Sequence, residues 1–126
     1  MKQDTLKEFL ELMGKVMQSV TATDDTMTFI TKGGRIFEFF HAQDCCESVY
    51  IDDICGDLKD LEGAPIVRAE EVSNDENSNP GGDSFTWTFY RFQTKKGWVT
   101  VKWYGTSNGY YSESVDFREI TSERRN

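Results

Sequence analysis

FTWTFYRFQTKKGWVTVKWY, residues 85 to 104, is the stretch that decides the fold. Phe85, Trp87 and Phe89 alternate with Thr86, Thr88 and Tyr90. Beyond Lys95-Lys96-Gly97, Val99, Val101 and Trp103 alternate with Thr100, Lys102 and Tyr104. A period of two is the signature of a strand, whose successive side chains point to opposite faces. A short Gly-containing link between two such runs makes a hairpin. Antiparallel strands are therefore expected over Phe85–Thr94 and Trp98–Tyr104.

Working outward, Thr26–Thr31 and Arg35–His41 read as another hairpin around Lys32-Gly33-Gly34. Pro65–Val72 and Tyr110–Phe117 read as further strands, and Ser48–Ile51 as a short one. Two segments look helical instead. Leu6, Phe9, Leu10, Met13, Met17 and Val20 recur at i, i+3, i+4 spacing, which predicts an amphipathic helix over Asp4–Val20. Ile51, Ile54, Cys55, Leu58 and Leu61 predict a short second helix over Asp52–Leu61, closed by Gly63 and Pro65. The expected fold is α+β: an antiparallel sheet packed by an N-terminal helix, with a second short helix. It forms a single domain over residues 1–126, with a mobile loop at 73–84 and a polar tail at 119–126.

Length and composition fit that reading. A chain of 126 residues is the size of one domain. With 13% aromatic residues it can build a core that a disordered chain could not. No stretch reaches the length of a membrane span, and the N-terminus alternates charged and apolar residues, unlike a signal peptide. A cytoplasmic protein is expected. Three cysteines, Cys45, Cys46 and Cys55, then read as free thiols, ligands or core residues.

The net charge of −8 is unevenly spread. From Glu38 to Asp83 there are thirteen acids and two bases, against nine and twelve elsewhere. Such a field suits a basic protein surface and disfavours direct nucleic-acid binding. The candidate partner-binding residues are Asp52, Asp53, Asp57, Asp60, Glu62, Glu70 and Glu71, on and after the expected second helix. The plain alternative is that they only keep a small protein soluble. Catalysis by them is a distant third, since no histidine or phosphate-binding loop stands near them in sequence.

One further cluster has ligand chemistry. His41, the only histidine, is followed by Asp44, Cys45 and Cys46, and by Cys55 nine residues later. Imidazole and thiolates are the ligands zinc prefers, four at a time. His41, Asp44, Cys45, Cys46 and Cys55 are the candidate ligands. The competing reading is a strand-end histidine and small buried thiols. Aromatics form the last set: Trp87, Phe89, Tyr90, Trp98, Trp103, Tyr104, Tyr110 and Tyr111. Interleaved with Arg91, Lys95, Lys96 and Lys102 they could stack bases, which the acidity opposes. Most are expected in the core, with Tyr104, Tyr110 and Tyr111 as contact residues.

The runs His41-x-x-Asp44-Cys45-Cys46-Glu47 and Trp103-Tyr104-Gly105-x-Ser107-Asn108-Gly109-Tyr110-Tyr111 resemble an uncharacterised domain family of phages and their hosts. The resemblance covers roughly Gly33 to Phe117. The chain is also similar to metal-containing anti-CRISPR proteins that inhibit the type II, Cas9-type RNA-guided nuclease. That similarity implies a structural zinc around His41 to Cys46 and inhibition by docking on the nuclease in the host cytoplasm. The expectation is a monomeric binding protein, not an enzyme. Its rivals are an acidic binding module for another host protein, or a zinc-dependent enzyme with Asp44 or Glu47 as general base.

Overall fold

A computed structural model describes residues 8–43, 46–77, 84–107 and 113–120. Eight strands run through it: β1 (Met17–Ala22), β2 (Met27–Thr31), β3 (Ile36–Phe40), β4 (Ser48–Cys55), β5 (Arg68–Asn77), β6 (Ser84–Thr94), β7 (Gly97–Ser107) and β8 (Asp116–Ile120). They form two four-stranded antiparallel sheets, β1-β2-β3-β8 and β4-β7-β6-β5. The sheets face each other across one core. Phe29 meets Phe92 at 5.3 Å between ring centroids, and Phe39 meets Tyr90 at 4.6 Å. Fully buried Leu12, Met17, Phe37, Leu61, Ile66, Val99, Val101 and Trp103 complete it.

This architecture is a β-sandwich, which overturns the α+β expectation. Among the described residues the helical structure is limited to two 3-10 turns, η1 (Glu8–Leu12) and η2 (Leu58–Leu61). η1 buries Phe9 and Leu12, while Leu10 and Met13, on the expected core stripe, are exposed. Gly14 then takes φ +81 and turns the chain into β1. Leu6 lies outside the described residues.

The remainder of each apolar stripe lies on a bulged strand. β1 carries a bulge between Met17 and Ser19, and β4 carries one between Ile51 and Asp53. A bulge inserts one extra residue, so two core-facing side chains fall three apart instead of two. Met17 and Val20 both point inward on β1. Ile51 and Ile54 both pack against the core on β4. A strand with one bulge thus imitates the i, i+3 spacing of a helix. Gly56 ends β4 at φ +109, where a Cβ would meet the Trp98 carbonyl oxygen at 2.6 Å.

The hairpins read from the sequence are present, β2 with β3 and β6 with β7. The expected strand from Pro65 lies further on, with β5 starting at Arg68. β5 runs to Asn77 and β6 starts at Ser84, so part of the expected loop over 73–84 is strand. Residues 78–83 lie outside the described residues, as do Tyr110–Ser112 and most of the expected tail at 119–126, whose Glu119 and Ile120 belong to β8.

Candidate functional site

Alternation along β6 and β7 divides the aromatic set into two faces. Tyr90, Phe92, Val101 and Trp103 point into the core. Phe85, Trp87, Phe89, Trp98 and Tyr104 point outward, on the two central strands of their sheet. The register sets Trp87 opposite Tyr104, Tyr50 of β4 opposite Tyr104, and Val72 of β5 opposite Phe89. The outward face of an ordinary exposed sheet is polar; this one is aromatic.

Tyr104 is its hub. Its ring lies 4.3 Å from Trp87, 5.8 Å from Tyr50 and 5.9 Å from Phe85, centroid to centroid. Two cations lie over this layer. Lys102 Nζ is 4.4 Å from the Trp87 ring centre and 3.6 Å from Asp52. The Arg91 guanidinium is 4.6 Å from the Trp98 ring centre and 3.5 Å from Glu70. Each cation is thus shared between a ring and a carboxylate on an edge strand. Tyr50, Phe85 and Val72 had escaped the sequence reading. The signal was present in the Phe85-Trp87-Phe89 row, whose size suggested core and which faces solvent.

The acidic set does not form one surface. Asp52 and Asp53 sit on β4, Asp53 accepting the Ile54 N–H at 2.9 Å. Asp57 caps η2 by accepting the Lys59 N–H at 3.0 Å. Asp60 lies half-buried in η2, with its backbone oxygen accepting the Thr94 hydroxyl. Glu62 accepts the Val20 N–H at 2.9 Å. Glu71 points inward and accepts the Tyr90 hydroxyl at 2.6 Å. Burial of Tyr90, together with that carboxylate, pushes the phenol far above its usual pKa. Asp52, Asp53 and Glu70 remain at the rim of the aromatic face.

The two sequence motifs meet on Glu113 and Ser114, at the Ser84–Ser107 end of the β6-β7 pair. His41 Nδ1 donates to the Ser114 carbonyl at 2.7 Å, and its Nε2 lies 2.8 Å from Glu47 Oε2. Both side chains are buried, with 4% and 0% exposure. Gly105 lies under Glu113, where a Cβ would meet the Glu113 oxygen at 2.8 Å. The Glu113 carboxylate accepts hydroxyls from Ser107 at 2.5 Å, Thr86 at 2.6 Å and Ser84. Burial opposes its ionisation, but the Ser107, Ser84 and Thr86 hydroxyls outweigh that and hold its pKa below the usual carboxylate value.

Of the five expected zinc ligands the structure describes three, His41, Cys46 and Cys55. Both ring nitrogens of His41 are engaged within the protein. Cys46 is disulfide-bonded, and a disulfide sulfur is not a thiolate ligand. Cys55 is an exposed free thiol at the far end of β4. Asp44 and Cys45 lie outside the described residues. Among the described residues no three His, Cys, Asp or Glu side chains are grouped to hold a metal ion. No described helix is long and apolar enough to cross a membrane.

A family model described as a domain of unknown function, DUF7448, matches residues 10–117. No curated protein and no solved structure matches the chain.

Proposed function

The chain belongs to the DUF7448 family of domains of unknown function, and we propose that it acts by binding, as a stoichiometric inhibitor docked on a basic partner protein. The observation that carries this reading is the aromatic outer face of the β4-β7-β6-β5 sheet. Tyr50, Trp87, Trp98 and Tyr104 are the residue types that dominate interface energetics. They are held on strands, so little conformational entropy is lost on docking. Asp52, Asp53 and Glu70 supply the polar rim.

A protein partner is favoured over nucleic acid because Lys102 and Arg91 are already matched by Asp52 and Glu70. The long-range field is then set by the net charge of −8, which attracts a basic surface and repels phosphates. The partner named by the resemblance is the type II, Cas9-type nuclease. Such nucleases hold guide and target in positively charged channels, which fits an acidic-rimmed aromatic face. Docking would block target loading or the movement that licenses cleavage.

The test is a titration of purified nuclease–guide complex with the chain, at low and high salt. The expected result is inhibition that ends at one chain per nuclease, with an association rate that falls as salt rises. Inhibition at a small fraction of one equivalent would refute a binding mechanism. No complex at micromolar concentrations would refute this partner.

A further inference from the structure

Strand register lays out the outer face of the β4-β7-β6-β5 sheet. Rings stand at its two ends. Tyr50, Tyr104 and Trp87 form one cross-strand row, continued on β5 by Asn74. Trp98 lies six residues from Tyr104 along β7, about 20 Å away at the usual strand rise. Gln93 stands opposite Trp98. Tyr50 is 37% and Trp98 38% exposed, so a ring is open to solvent at each end.

Two features of this face decide what fits it. Its central charges cancel in pairs, Lys102 against Asp52 and Arg91 against Glu70, and the same two cations brace the Trp87 and Trp98 rings. Uncharged polar side chains share the face with them. Asn74, Gln93 and Thr100 all point outward, and among the described residues their side chains make no hydrogen bond. A carboxamide and a hydroxyl can each donate and accept.

A sugar has the matching chemistry. Its hydroxyls donate and accept, and the C–H bonds on one side of its ring carry a small positive charge that suits the negative face of an aromatic ring. A neutral sugar is also indifferent to the net charge of −8, which repels polyanions. We propose that this face binds a neutral oligosaccharide laid along β6 and β7. Sugar rings would stack on Trp98 at one end and on the Tyr50–Tyr104–Trp87 row at the other. Hydroxyls would bond to Gln93, Thr100 and Asn74. The inference does not rest on the protein partner proposed above, but it uses the same face, so a bound oligosaccharide would compete with that partner.

The probes are maltohexaose, cellohexaose and the hexamer of N-acetylglucosamine, with the hexamer of galacturonic acid as the anionic counterpart. Each is titrated into the isotope-labelled full chain and followed by amide NMR shifts. At least one neutral hexamer should give saturable shifts centred on β6 and β7, with a dissociation constant below about 1 mM. That constant should change less than about twofold between low and high salt, since no net charge is matched. Trp98→Ala, which removes a stacking ring, and Gln93→Ala, which removes a hydrogen-bonding group, should each weaken binding by about fivefold or more. Both side chains point away from the core, and the amide spectrum of each variant reports that the fold is kept.

No shifts at about 5 mM of any neutral hexamer would overturn the proposal. So would shifts centred outside this face, or an affinity unchanged in either variant. Tighter binding of the galacturonic acid hexamer would show that charge, not neutral hydroxyls, is being read, and would overturn it too. The nuclease titration is read separately. Oligosaccharide binding without nuclease binding refutes the named partner alone, and nuclease binding without oligosaccharide binding refutes the sugar site alone.

Discussion

His41 Nε2 lies 2.8 Å from Glu47 Oε2, with both side chains out of contact with solvent. The Ser114 carbonyl can only accept, so the Nδ1 of His41 carries a proton there. The pair ties the end of β3 to the chain entering β4 and to residue 114. Glu47→Ala would leave a buried imidazole nitrogen without its partner, at a cost of about 3 kcal/mol. Urea unfolding should show that loss, and His41→Ala combined with Glu47→Ala should cost less than the two single losses added together. A loss below about 0.5 kcal/mol in either single variant would mean that the pair is not a latch.

Gly105 should tolerate no side chain. A Cβ there would stand 2.8 Å from the Glu113 oxygen and 2.9 Å from the Glu113 Cβ. Gly105→Ala must push residue 113 away from β7, which costs about 2 kcal/mol by overpacking. Its backbone is not in a positive-φ conformation, so the loss reports crowding and not strain. Unchanged thermal stability would show that residue 113 does not cross β7 this closely.

Glu113 gives the fold a pH dependence of known sign. Its pKa is depressed in the folded state by the hydroxyls of Ser107, Ser84 and Thr86 acting against burial. A depressed carboxyl contributes stability above its unfolded pKa of about 4.3, and that contribution is lost as pH falls through the folded value. Glu113→Gln should therefore lower stability at neutral pH and shrink the loss seen between about pH 5 and pH 2. Denaturant midpoints measured across that window check it. An acid limb identical to that of the parent protein would contradict the assignment.

The strands with uninterrupted alternation were legible in the sequence, and β2, β3, β6 and β7 lie close to where their periodicity puts them. β1 was not, and of β4 only Ser48–Ile51 was, because their bulges at Met17/Ser19 and Ile51/Asp53 convert a period of two into apparent helical spacing. The aromatic row was visible, but its direction was not. Trp87 and Tyr90 look equally fit for a core, and only the packing of β6 against Phe29 and Phe39 decides which row faces inward. The His41 and Trp103–Tyr111 motifs were found as motifs, while their meeting on Glu113 and Ser114 depends on contacts more than sixty residues apart for His41 and Ser114.

The aromatic face should be separable from the core by substitution. Tyr104 and Trp87 are half-buried on the outer face, so Trp87→Ala should cost only about 1 kcal/mol of stability. Phe92→Ala, from the fully buried row, should cost about 3–5 kcal/mol. Thermal unfolding of the two variants distinguishes the faces. Equal losses would place Trp87 in the core.

The most direct measurement is a nuclease cleavage assay titrated with the parent chain and with Trp87→Ala and Tyr104→Ala, each first shown to be folded. The parent chain should abolish cleavage at one equivalent, and each variant should weaken inhibition by about 30-fold, the effect of losing a central aromatic anchor worth about 2 kcal/mol. Full inhibition by both variants, or none by the parent chain, would contradict docking of the nuclease on this aromatic sheet face.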